Sequence, residues 1–180
     1  MATWRPLNLN DIPALMKIAN EIHTTLPERP EIFAERIMLS PSGCLGLELE
    51  SSKGLVGYTI SHPIRRGEPP ELDTLLGENN VHIDASASDA AFYIQDAAFY
   101  IHDVAILPVF RGEGYAAKGV RLLLGTAAAR GFSVVCLVSV YGTEEFWGRA
   151  GFKRVEVDEK LRRKLEGYGG DAVYLEREGV

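Results

Sequence analysis

The chain has 180 residues, 46% hydrophobic and 24% charged, a balance that excludes disordered and fibrous classes and fits a single domain over residues 1–180. Its 25 acidic and 19 basic residues leave a net charge of -6. The basic field of a nucleic-acid binder is therefore missing and no nucleic-acid partner is expected; an acidic chain can favour a cationic substrate such as an amine, but net charge alone does not select one. The N-terminus MATWRPLNLND has no apolar signal core, and no apolar run is long enough for a membrane span. Cys44 and Cys136 both sit inside apolar runs, so a cytoplasmic protein without disulfides or membrane association is expected.

Thr3 to Leu7 is short and contains Pro6, as an edge strand can. Asn10 reads as an N-cap, with Asp11 and Pro13 in the first turn of a helix whose buried face carries Ile12, Leu15, Ile18, Ala19 and Ile22. Pro27 and Pro30 break it, and Glu31 to Met38 forms a second helix with Phe33 and Ile37 inward. After a turn at Ser40 to Gly43, Cys44 to Glu50 alternates with Leu45, Leu47 and Leu49 on one face. Ser51 to Gly54 closes a hairpin into Leu55 to Ser61, where Val56, Tyr58 and Ile60 alternate. Residues 62–90, with Pro63, Pro69 and Pro70, read as a long irregular loop with one helical turn at Leu72 to Leu76.

Phe99 to Leu107 is a β-run stopped by Pro108. Gly114 to Arg130 is a helix with Val120, Leu123, Leu124 and Ala127 as its apolar stripe, ended by Gly131. Phe132 to Val140 is apolar and β-branched throughout, as in a strand buried on both faces. A short helix at Thr143 to Arg149, a strand at Phe152 to Val157, a charged helical turn at Asp158 to Leu165 and a strand at Ala172 to Glu176 complete a mixed α/β domain around one sheet.

Asp89 to Gln95 (DAAFYIQ) is followed at once by Asp96 to His102 (DAAFYIH), a tandem duplication. The repeat has an odd period, so slipping the strand by one copy exchanges its faces. Only one copy can enter the central strand, and the one adjoining Asp103 is expected there.

The informative stretch is Ile101 to Ala117, a strand running into the turn Arg111-Gly112-Glu113-Gly114 that opens a helix. Free amides and the helix dipole make such a turn an anion site, although glycines also serve plain strand–turn–helix geometry. Gly112-x-Gly114-x-x-Ala117 also matches the dinucleotide fingerprint of NAD enzymes. That reading needs an acid at the end of the next strand, and none occurs before Glu144. NAD is therefore set aside.

The alternative pattern is R-x-x-G-x-A, spelled by Arg111, Gly114 and Ala116, together with Phe146-Trp147-Gly148-Arg149-Ala150-Gly151-Phe152 further on. Here the sequence resembles the GNAT superfamily of acetyl-CoA-dependent N-acetyltransferases, specifically over residues 99 to 155 and weakly before that. The resemblance implies a mostly antiparallel central sheet with a splayed parallel strand pair that binds CoA. It implies acetyl-CoA as co-substrate, with Val104, Ala105 and Ile106 along its pantetheine arm and Arg111, Gly112, Glu113, Gly114, Tyr115 and Ala116 around its pyrophosphate. The chemistry implied is direct attack on the thioester by the amine of a small or amino-acid-like acceptor.

His102 lies where related acetyltransferases often hold a glutamate. An imidazole there can act as the base or merely line the pocket. Asp103, on the opposite strand face from His102 by simple alternation, can orient a loop or bind a substrate cation. The family's usual acid is a tyrosine four residues before the glycine of Gly-Phe, where this chain has Trp147, an indole that cannot protonate a thiolate. Tyr141 is the nearest substitute acid, with packing at the strand end as its alternative role. A thiolate is a fair leaving group, so an acid is not essential. Glu28, Glu31 and Glu35 read as a solvated helix face, but the resemblance implies that the first two helices wall the acceptor site, so the acceptor pocket is expected to draw on Glu28, Tyr58, His62, Asp103 and Trp147.

The histidines at 23, 62 and 82 show no ligand spacing, and no metal is expected. The rival reading is a non-catalytic acyl-CoA-binding regulatory module of the same fold, favoured by Trp147 as the enzyme is favoured by His102. The oligomeric state is open, a homodimer included.

Overall fold

The computed structural model describes residues 1–79 and 96–179. The chain opens with strand β1 (Ala2–Pro6), and a 3₁₀ turn then leads into helix α1 (Ile12–Ile22). The capping side chain is that of Asn8 and not Asn10: Asn8 accepts from the Asn10 amide while Asp11 reaches back to the Asn8 amide, a reciprocal capping box. Helix α2 (Pro30–Leu39) begins on a proline, whose missing N–H costs nothing at a helix start, and buries Ile32, Phe33 and Ile37.

Strands β2 (Leu45–Leu49) and β3 (Leu55–Arg65) form the expected hairpin, but β3 runs four residues beyond the expected end at Ser61, through Pro63. Its pairing with β2 stops at Leu45 opposite Thr59. From there β3 has a strand on one side only, so a proline removes no ladder bond on the other. The segment after β3 carries a 3₁₀ turn at Leu76–Asn79 rather than at Leu72 to Leu76.

Strand β4 (Ala97–Ile106) is made from the second copy of the duplication, and the first copy lies outside the described residues. Helix α3 (Tyr115–Ala129) buries Val120, Leu123, Leu124 and Ala127, the four residues its periodicity selects. It ends in a Schellman motif, with Gly131 left-handed and the amides of Gly131 and Phe132 reaching back to the Ala128 and Ala127 carbonyls. Then follow β5 (Val134–Ser139), α4 (Glu144–Arg149), β6 (Lys153–Arg154), α5 (Glu159–Glu166) and β7 (Val173–Glu178). Of the strand expected over Phe152 to Val157, only two residues pair.

The sheet order is β1-β2-β3-β4-β5-β7-β6, antiparallel except for the β4–β5 pair. One face packs Phe99, Ile101, Val135 and Leu137 against α3 and against Trp147 of α4. The other carries Tyr58, Ile60 and Ala105 under α1 and α2, and Tyr100, Cys136 and Tyr174 under α5. Two features of β4 position the site. Its parallel pairing with β5 covers only Phe99 to Ile101, so the two strands part beyond that point. Its register with β3 also slips, Ile60 facing Asp103 while Ser61 faces Ile101, which leaves His102 as the extra residue of a β-bulge.

Candidate active site

The bulge overturns the expected opposition of His102 and Asp103. One inserted residue breaks the two-residue alternation, so both side chains emerge on the α1–α2 face and line one cavity, while Val104 returns to the α3 face. This cavity, of about 50 Å³, lies where β4 and β5 separate. Val138 and Val140 wall it from the β5 side, Ala19, Asn20 and His23 from the end of α1, Glu28 and Phe33 from the α1–α2 connection and α2, and Leu72 and Tyr168 from above.

Each histidine in it is held by a carboxylate. His102 Nε2 lies 2.7 Å from Glu28 Oε2, with the two side chains only 2% and 8% exposed. The other Glu28 oxygen accepts the Asp73 amide at 3.0 Å. Burial alone would raise the Glu28 carboxyl, but the charge and hydrogen bond of His102 outweigh it and, with the Asp73 amide, hold Glu28 down to about 2. Because an ionised carboxylate can only accept, the His102 proton belongs on Nε2. Its Nδ1 is buried and has no hydrogen-bond partner among the described residues.

His23 forms the second pair. Its Nε2 lies 2.9 Å from Asp103 Oδ2, and its Nδ1 lies 3.3 Å from the Tyr141 hydroxyl, with the two rings stacked. Burial works against a charged His23, but the charge and hydrogen bond of Asp103 outweigh it and raise the imidazole above its ordinary value. Tyr58, fully buried, donates to Asp103 at 2.5 Å; burial and the Asp103 charge push its phenol well up, so it stays a donor. Tyr141 sits at the rim with φ of 56°, a left-handed conformation that costs a tyrosine about 1–3 kcal/mol. Its phenol is raised too, by burial first and against the Thr25 hydroxyl bond.

Of the expected acceptor residues, the structure brings Glu28 and Asp103 to the cavity wall. Tyr58 and His62 stand behind that wall. His62 is fully buried, Nδ1 near its own neighbour's carbonyl on Pro63, and its ring lies 5.8 Å from that of His102. Trp147 is not in the cavity. At the end of α4 the amides of Gly151 and Phe152 return to the carbonyls of Gly148 and Trp147, and this Schellman closure sets the indole against Phe152 in the core. His23 is the residue that sequence reasoning passed over. The available signal was a histidine at the C-terminal end of a helix walling the acceptor side, too weak by itself to use.

The glycine turn follows a 3₁₀ turn at Pro108–Phe110. Gly112 and Gly114 have φ of 89° and 76°, and an added Cβ at either would meet nothing within 4 Å. Backbone conformation, and not crowding by the protein, is what requires glycine at these positions. Gly114 caps α3 without a side-chain bond, and Lys118 is the first residue to return a helical amide bond, to Gly114. The amides ahead of it are therefore available to an anion. Arg111 donates through Nε to the Ile106 carbonyl, which ties its guanidinium to the end of β4. Among the described residues no cluster of His, Cys, Asp and Glu could hold a metal, and no helix is long and apolar enough to cross a membrane.

Comparison with known proteins agrees with this fold. The model of the acetyltransferase (GNAT) family matches residues 12–152. No curated protein sequence matches. Among solved structures, the loading GNATL domain of CurA from Lyngbya majuscula is 18% identical, with a TM-score of 0.69, covering 99% of this chain and 98% of that one. The NatC complex bound to Gag peptide and CoA is 14% identical, with a TM-score of 0.68 and 99% of each chain covered. N-acetylglutamate synthase from Neisseria gonorrhoeae, complexed with coenzyme A and N-acetyl-glutamate, is 17% identical with a TM-score of 0.66; it covers 99% of this chain but 35% of that one. At these identities the likeness is one of fold.

Proposed function

The chain belongs to the acetyltransferase (GNAT) family, and from that premise we propose that it transfers an acetyl group from acetyl-CoA to the amine of a small acceptor held between β4 and β5. The observation that carries this reading is the cavity at the β4–β5 fork, where a buried carboxylate holds one nitrogen of His102 and the other nitrogen has no hydrogen-bond partner among the described residues, as a base would need.

The residues present fit the co-substrate. The uncapped start of α3, with its two left-handed glycines, suits a diphosphate. Arg111, Gly112, Glu113, Gly114, Tyr115 and Ala116 would hold it, Glu113 through its amide. The edge of β4 that β5 leaves, at Val104, Ala105 and Ile106, would receive the pantetheine arm. Solved relatives of the same fold were captured with CoA, which supports this assignment. Bound acetyl-CoA supplies the activated acetyl thioester.

His102 Nδ1 takes the proton from the acceptor's ammonium, and Glu28 keeps the ring in the required tautomer and stabilises the imidazolium that forms. The Tyr141 hydroxyl, just past the end of β5, would give its proton to the departing thiolate, and His23, backed by Asp103, lies against it to restore that proton. Holding both substrates in one small cavity provides the remaining advantage, proximity.

Thiol release from acetyl-CoA against a panel of amines tests the reading. Release that depends on an amine and disappears in His102→Ala is expected. CoA binding by calorimetry without turnover on any amine would instead identify a non-catalytic binding module.

A further inference from the structure

The chemistry of the cavity wall narrows the acceptor. Glu28 and Asp103 both face it, with side chains 8% and 11% exposed, and the described residues lining it include no lysine or arginine. The nearest cations are engaged elsewhere. Arg36, fully buried behind Glu28, is bonded to Glu35 and to the Thr74 carbonyl. Arg29 is bonded to Asp73, and Arg111 to the Ile106 carbonyl.

A carboxylate on the acceptor would thus enter a poorly solvated space beside two like charges, where the basic side chains of the described lining are His23 and His102, already bonded to Asp103 and Glu28. An ammonium meets two carboxylates there, and its substituent meets Leu26, Phe33, Leu72 and Val138. Resting on the transferase reading above, we infer that the acceptor is an amine bearing no carboxylate, and that free amino acids are excluded by charge.

The test is a matched pair, 4-aminobutanamide against 4-aminobutanoate, alike in length and shape, assayed by thiol release with the full chain at saturating acetyl-CoA and compared per concentration of free amine. The amide is expected to show a kcat/KM at least about tenfold above that of the acid. Leu72→Arg, which adds a guanidinium to the wall, is expected to shrink that ratio at least about threefold by raising activity on the acid. Equal or better use of the acid, or a ratio unmoved by Leu72→Arg, overturns the inference and leaves the transferase reading standing. Release with neither of the pair nor with any simple amine overturns both.

Discussion

At the scale of single residues, the two imidazole–carboxylate pairs carry different predictions. If His102 Nδ1 accepts the proton, His102→Ala lowers kcat by about 10²–10⁴-fold with CoA affinity unchanged, and His102→Gln does not rescue it because an amide cannot take a proton. Steady-state kinetics at several pH values with one acceptor, alongside calorimetry with CoA, check this; a variant within about threefold of wild type would make His102 a wall residue only. Linkage separates the two pairs further. Glu28 is held down, so its contribution to stability is present above the ordinary carboxylate range and is lost as pH falls toward about 2. His23 is raised, so its contribution is present below its ordinary value near 6.5 and is lost as pH climbs through the raised one. His23→Gln is therefore expected to flatten the decline of Tm above neutral pH and to leave the acid limb intact, as melting curves across pH would read.

At the scale of elements, α3 has two separable jobs, one at its tip and one along its flank. Gly114 sits at φ of 76° with open space beside it. Gly114→Val forces a β-branched side chain into that conformation and into the anion's approach, and CoA affinity is expected to fall at least about tenfold. Arg111→Ala removes one charge but none of the amides and is expected to cost less. Leu123, fully buried on the helix flank, gives the converse: Leu123→Ala is expected to cost about 2–5 kcal/mol of stability while CoA affinity stays within a few fold. Calorimetry and denaturant unfolding on the three variants distinguish the two jobs. Unchanged affinity in Gly114→Val would move the phosphate cradle elsewhere.

At the scale of the molecule, the ligand should stabilise the fold it bridges. The glycine turn and the β4–β5 fork come from the middle of the chain, while the cavity wall also draws on α1, α2 and Tyr168. A ligand that binds only the folded state at about a hundred times its Kd adds roughly 2.7 kcal/mol. For a chain of this length that raises Tm by about 5–10 °C. CoA is expected to give such a shift and NAD none; stabilisation by NAD alone would reverse the assignment of the turn.

Local pattern made much of this legible in the sequence. The buried stripe of α3, the β2–β3 hairpin, the apolar run of β5 and the glycine turn each depend on neighbours within a few residues, and periodicity and turn chemistry read such neighbours directly. Where the sequence reading went astray, distant partners decide the outcome. The slip of β3 against β4 is a property of two strands, and it alone turns Asp103 to the same face as His102. Trp147 occupies the position of a family tyrosine, yet the Schellman closure onto Phe152 commits it to the core. His23 gains its meaning from Asp103, 80 residues away, and from Tyr141, 118 away. A single sequence without covariation records no such pairings. The sequence by itself thus determined the elements, their order and the glycine turn, because short-range sterics and burial set these. Only the tertiary structure decided which side chains share the cavity, because strand register and helix docking are set by packing over the whole chain.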